Sequence, residues 1–397
     1  MPRSTSKSKK SASGAGNIRK KTVTKNGKPY TYWEARFTAG YDPGTGKQIQ
    51  RSITGKTQKE VAQKLREITA EIDRGTYVEP CKLTVSEWME IWRKEFLVNV
   101  KPRTKDSYRS TVKTHIEPSL GVIRLDALDT LTIQRFYNRL SQTLCAKTVR
   151  NVHGVLHRAL QQAVISKLIR DNPTVGCTLP KGEKKDIHPL TEKQISDLLK
   201  AIKGHRFERI ILVTLFTGMR EGEVLGLTWD CVNLNTGAIL INKQLQRERR
   251  GSGEYLLVST KNGKGRLITA APYVVSILRE AKAAQEEWQK ACGETWDNSM
   301  NLVFTDEIGR HFSAQTVYLH FKKFAAEIGA PETRFHDLRH SYAVAALRSG
   351  ADIKSVQGNL GHATASFTLD VYAHFTEDMR QDSADRMERF IHTVKAL

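Results

Sequence analysis

The stretch RFHDLRHSYAVAALRSG, Arg334 to Gly350, sets His336, Arg339 and His340 close together on what its pattern predicts to be a helix. Two histidines four residues apart could hold a metal, and the HExxH zinc pattern is the nearest parallel. That pattern needs a glutamate beside the first histidine, where this chain has Asp337, and it needs a third ligand. Arg339 would also place a permanent positive charge beside a dication. An anion suits the set better. A guanidinium fork matches two phosphate oxygens, and an imidazole adds a hydrogen bond or carries a proton.

Other stretches carry polar groups that packing does not call for. In TGMREGEVLGLTW, Arg220 follows a Thr-Gly turn at the end of an apolar run, and Glu223 lies three residues on, placed to orient its guanidinium. Alone, such a pair reads as a surface ion pair of little worth. LLVSTKNGKGRLITAAP reads as strand, turn and strand, a hairpin with Lys261 at its lip. Lys264 is as close to the turn, and local chemistry does not choose between them. LGHATASFTLDVYAHF holds His362 and Tyr372. A phenol, with pKa near 10, is a poor nucleophile unless cations surround it or a base takes its proton.

The elements that must position these groups follow from pattern and punctuation. The chain has 397 residues, 63 Lys and Arg against 42 Asp and Glu, and a formal charge of +21, a footprint for a polyanion such as nucleic acid. Its longest apolar run, IILVTLF, is far below the roughly 20 residues of a membrane helix, and no signal peptide is visible. Five scattered cysteines without a CxxC pair fit reduced thiols in a cytoplasm. Residues 1–16 are basic, rich in Ser and free of acids, and are expected to be disordered. Residues 17–80 read as three short antiparallel strands, with NGKP and DPGTG turns, leading into a helix that Thr57 and Glu60 cap and Gly75 stops. A small sheet of this kind fits a DNA major groove, and Arg19, Lys20, Lys21 and Arg36 are its candidate contacts.

Residues 83–175 are wholly helical, opening with a capping box at Thr84 and Glu87 and including a basic helix expected to stop near Pro118. Lys101, Arg103, Lys105, Lys147 and Arg150 crowd helix starts, where phosphates bind. Residues 176–189 read as a linker. Residues 190–397 form the third unit, mainly helical with a small sheet and ending in an amphipathic helix from about 376. The expected fold class is thus multidomain: a small β-sheet plus helix, an all-α bundle, and a mainly α, mixed α+β domain.

Taken in order, Arg220, Lys261, His336, Arg339, His362 and Tyr372 resemble the signature of the tyrosine recombinases, the phage-type integrases. The layout is similar to the members with an N-terminal arm-binding domain, from conjugative transposons and temperate phages. The resemblance implies that Tyr372 attacks a DNA phosphodiester to give a 3′-phosphotyrosyl link. Arg220, Arg339 and His362 would hold the phosphate, Lys261 would protonate the leaving oxygen, His336 would assist, and Glu223 would orient Arg220. His340 would be structural. No metal, ATP or other cofactor is implied. Partners implied are double-stranded DNA at core and arm-type sites, a homotetramer joined by exchange of the C-terminal tail, an excisionase and a host DNA-bending protein. The place implied is the bacterial cytoplasm, at the nucleoid. Two other readings stand beside it: a type IB topoisomerase-like enzyme, and a DNA-binding regulator that keeps only the fold.

Overall fold

The computed structural model describes residues 17–25, 28–42, 44–182, 188–248, 253–260, 263, 265–361 and 376–395. Its contacts divide into two units, Met1–Glu183 and Lys184–Leu397, the break falling inside the stretch 176–189.

In the first unit, strands β1 (Ile18–Lys25), β2 (Lys28–Tyr41) and β3 (Gln48–Gly55) form an antiparallel sheet in sequential order. The DPGTG turn is held by the Asp42 carboxylate, which accepts from the Gly44 and Thr45 amides at 2.9 and 2.7 Å. Alternation along β2 turns Trp33, Ala35 and Phe37 toward helix α1 (Gln58–Asp73), where they meet Val61 and Leu65. Thr57 accepts from the Glu60 amide at 3.2 Å to start α1, and Gly75, at φ 69°, follows its end.

Helices α2 (Val85–Glu95), α3 (Pro102–Thr111), α4 (Glu117–Leu120), α5 (Thr130–Ser141) and α6 (Ala146–Ile165) bury a separate core around Trp88, Phe136, Tyr137 and Leu156. The Trp88 indole donates to the Ala159 carbonyl at 2.9 Å and pins α2 to α6. The basic helix ends at Leu120, close to Pro118 as expected, and the proline itself lies inside it. A π-helical turn, Val112–Ile116, joins α3 to α4, and Pro118 sits in the first turn of α4. The wider turn absorbs the proline, which lacks an N–H and would crowd an α-helical carbonyl before it.

The second unit opens with α7 (Glu192–Ala201) and the buried α8 (Glu208–Thr217), followed by the short α9 (Glu221–Leu225). Strands β4 (Ala238–Ile241) and β5 (Lys243–Arg247) are one line broken at Asn242; β6 (Tyr255–Ser259) pairs with β5, and β7 (Arg266–Thr269) with β4. The expected hairpin of β6 with β7 is therefore corrected. Ser259 faces Lys243 and Arg266 faces Ile241, so β6 and β7 pair with successive stretches of one line, on either side of Asn242. Helices α10 (Pro272–Cys292), α11 (Ala314–Glu327), α12 (Asp337–Arg348), α13 (Ile353–Leu360) and α14 (Thr376–Lys395) complete the unit. Phe207, Ile211, Leu278, Phe321 and Leu338 share its main core. Among the described residues no helix is long and apolar enough to cross a membrane.

The fold class is as the sequence led one to expect: an N-terminal three-stranded sheet with a helix, a helical bundle, and a mainly helical unit with small sheets.

Candidate active site

The site is built on a turn. Apolar α8 ends at Gly218, whose φ of 68° reverses the chain, and Arg220 two residues on is extended. A Cβ on Gly218 would lie 2.5 Å from Tyr342 Cδ1 and 2.7 Å from Leu360 Cδ2, so α12 and α13 press directly on the turn. Arg220 is the N-cap of α9, and its side chain is about one-third exposed. Glu223, buried to 2% exposure, accepts from the Arg220 amide at 2.9 Å and from its Nη1 at 2.7 Å. The pair is no surface ion pair. It is a fixed guanidinium on a buried carboxylate.

Glu223 has a second cation that sequence reasoning missed. Arg266, the first residue of β7, donates Nη1 to Oε1 at 3.0 Å and Nη2 to Oε2 at 2.6 Å, a parallel fork. Burial would push the Glu223 carboxyl up; the Arg266 hydrogen bonds and charge, with the Arg220 amide and charge, hold it down at about 2. The one signal in the sequence was an arginine opening the strand RLIT directly after Gly265.

HDLRH enters as the start of α12. His336 lies just before the helix and is exposed, whereas Arg339 is 1% exposed. Arg339 donates to the Gly218 carbonyl at 2.6 Å and to the Leu360 carbonyl. It thereby ties α12 to the turn before Arg220 and to the end of α13. The His336 ring, although open on one side, is crowded enough that burial, then the Arg339 charge, holds its pKa below the usual imidazole range; Arg220 acts on it in the same direction. Arg220, Glu223, His336 and Arg339 are thus brought together.

His340 is 6% exposed and meets the His336 ring edge-on at 5.4 Å. Burial, and then His336, hold its pKa down at about 4, which keeps it neutral at ordinary pH. Asp337 is tied by a two-pronged ion pair to Arg334, at 3.0 and 2.7 Å, and also accepts from the Arg334 amide at 2.8 Å. Among the described residues no three His, Cys, Asp or Glu side chains gather where they could hold a metal ion. Lys261, Lys264, His362 and Tyr372 lie outside the described residues.

The candidate DNA contacts fall in the first unit. The register places Arg19, Lys21 and Arg36 on the sheet face opposite α1, whereas Lys20, paired with Trp33, lies on the other face. Arg19 donates to Glu34 at 2.7 Å, so part of its charge is met within the sheet. Lys101 caps α3, Arg103 is exposed on its first turn, and Lys105 donates to the Val98 carbonyl at 3.3 Å. Lys147 is exposed at the start of α6, where Arg150 donates to the Pro180 carbonyl at 3.0 Å.

Residues 188–379 match the model of the phage integrase family, and residues 84–141 match its N-terminal SAM-like domain. A tyrosine recombinase XerC-like protein of Caldanaerobacter subterraneus subsp. tengcongensis is 27% identical, over 93% of this chain and 98% of its own. An integrase of Streptomyces ambofaciens is 28% identical, over 86% and 88%. The fold resembles the Tn1549 transposon integrase, solved with transposon right end DNA, at a TM-score of 0.66 and 21% identity, covering 77% of this chain and 100% of that one. It also resembles a lambda integrase dimer on a core site, at 0.55 and 17%, covering 73% and 95%. Two matched domains in the right order, a relative aligned end to end, and a buried carboxylate aiming the arginine of TGMREGE together establish that the chain belongs to the phage integrase family, the tyrosine-type site-specific recombinases.

Proposed function

We propose that this chain is the integrase of a mobile element and that its reaction runs through Tyr372 with no metal and no ATP. The family's reaction is the cutting and rejoining of DNA at specific sites. In the reading offered here, the Tyr372 oxygen attacks phosphorus, the bond from phosphorus to the 5′-oxygen breaks, and Lys261 gives that oxygen its proton. The phosphotyrosyl ester conserves the bond energy, so a new 5′-hydroxyl reverses the step without ATP.

The observation that carries this reading is the cationic cluster around the Gly218 turn. Arg220 is aimed by Glu223, and Arg339 is held by the Gly218 and Leu360 carbonyls, so two guanidinium groups are set before any substrate arrives. Preorganised charge of this kind stabilises the more negative transition state of phosphoryl transfer without reorganisation. In this reading His336, whose pKa burial and then the Arg339 charge lower, accepts the Tyr372 proton. Lys261 is preferred to Lys264 on resemblance alone. The domain reading stays as the sequence suggested: 17–80 for arm-type sites, 83–175 and 190–397 around the core site, with tail exchange between four protomers.

A nicked suicide duplex tests this. The wild-type chain forms a covalent protein–DNA adduct whose peptide maps to Tyr372, Tyr372→Phe forms none, and EDTA leaves the yield unchanged. An adduct on another side chain would overturn the reading.

A further inference from the structure

Arg266 belongs to none of the roles the signature assigns, yet its whole guanidinium is engaged beside the Gly218 turn. All three of its guanidinium nitrogens donate within the protein: Nη1 and Nη2 to the two Glu223 oxygens, and Nε to the Asn359 carbonyl at 2.6 Å. Its side chain is 12% exposed. Gly361 makes room for it: a Cβ there would lie 3.0 Å from Arg266 Cδ, and the glycine's φ of 62° ends α13.

We propose that Arg266 is a positioning residue for strand cleavage, a clamp that fixes Glu223, and through it Arg220, to the ends of β7 and α13. The proposal rests on the functional reading above. Three segments of the signature meet at this one fork. Arg220 precedes Glu223 by three residues, Lys261 precedes Arg266 by five, and His362 follows Asn359 by three.

Charge explains why one carboxylate needs two arginines. Glu223 is buried, and a lone buried carboxylate would draw its single partner into a tight, self-satisfied pair. With Arg266 taking both oxygens in a fork, two cations share one anion, and one positive charge is left over. That surplus sits on Arg220, the more exposed of the two, whose side chain is 33% exposed against 12%. Arg266 therefore keeps Arg220 both oriented and available to a phosphate. Having its own nitrogens engaged, Arg266 is not itself suited to hold that phosphate.

Single-turnover adduct formation on a nicked suicide duplex, with the full-length chain in excess, tests the clamp. Arg266→Ala should slow adduct formation on the order of 10²-fold while DNA affinity stays within about threefold, since a small misplacement near the chemistry has that effect. Millimolar guanidinium ion, far below denaturing concentrations, should restore at least about tenfold of the loss by refilling the fork. The variant should also gain an acid limb. In the wild type Glu223 stays ionised to about 2, and without Arg266 burial drives its pKa up, so the rate falls as pH falls through the new value. Should Arg266→Ala not fold, Arg266→Lys keeps a charge without the fork; it is expected to melt like the wild type and to react about tenfold slower. Wild-type rates in either folded variant would overturn the proposal. So would a loss matched by DNA binding, with neither rescue nor acid limb. If the wild-type chain itself forms no adduct at Tyr372, it is the functional reading that fails.

Discussion

The Arg339 guanidinium and the Gly218 carbonyl share a hydrogen bond of 2.6 Å, formed between residues 121 positions apart in the chain. One is the buried arginine of HDLRH and the other is the hinge of TGMR. The left-handed glycine presents its carbonyl to Arg339 on α12, and Arg220 follows two residues later as the N-cap of α9, so one turn serves both arginines. Leu360 and Tyr342 pack where a side chain on residue 218 would have to go.

Gly218→Ala is accordingly expected to be severe. The left-handed φ and the collision with Tyr342 should destabilise the catalytic unit by about 2–4 kcal/mol. Adduct formation should fall further than stability predicts, even at temperatures where the variant is folded. Urea melts paired with single-turnover assays measure both. An alanine variant with wild-type cleavage would show that the turn does not set the arginines.

The two arginines should separate by experiment. Arg220 is partly exposed and Arg339 is buried against two carbonyls. Arg220→Ala should lose about 3–4 kcal/mol of transition-state stabilisation with little change in melting or DNA affinity. Arg339→Ala should lose as much activity and in addition about 2–4 kcal/mol of stability, because it leaves buried acceptors unpaired. Equal melting of the two variants would contradict the burial difference on which this distinction depends.

Glu221 gives a pH prediction. One of its carboxylate oxygens is buried with no hydrogen-bond partner, and burial pushes the carboxyl up to about 7. The neutral form is favoured in the folded chain, so the native state binds more protons than the unfolded one between the ordinary carboxyl pKa and 7. Stability should therefore fall as pH rises through that window and level off above it. Glu221→Gln should remove the slope and gain up to about 3 kcal/mol at pH 8. Thermal melts from pH 5 to pH 8 decide it. A wild-type slope of the opposite sign would mean that Glu221 is ionised and paired.

Much of this was legible in the chain, for reasons that differ by residue. Periodicity and capping residues located α1 and α2, because Thr57 and Thr84 mark helix starts by local chemistry alone. Glu223 was legible as the partner of Arg220 because three residues on a helix is a short-range relation. Arg266 was not, since 43 residues separate it from Glu223 and only the fold closes that distance. The β6–β7 hairpin was misread because NGKG is a good turn signal, yet pairing is decided by which strand lies alongside, and that was the earlier line of β4 and β5. The end of the basic helix near Pro118 was legible, whereas the π-turn that lets the proline sit inside the last turn was not.

The N-terminal sheet offers the last prediction. Its core, Ala35 and Phe37 on Val61 and Leu65, is separate from the helical core around Trp88 and Phe136. The Arg170–Glu71 ion pair joins exposed or half-exposed side chains, which contribute little. A chain beginning at Leu83 should therefore fold and still cleave a short core duplex at close to the full-length rate. On the proposed division it should lose affinity for arm-type DNA, for which Arg19, Lys21 and Arg36 on the sheet face opposite α1 are the candidate contacts. The salt dependence of that lost binding should be steep if those cations neutralise several phosphates at once. Titrations of arm and core duplexes with both chains, at two salt concentrations, measure the division. If the shortened chain folds but cannot cleave the core duplex, the sheet takes part in the reaction itself and the division of labour is wrong.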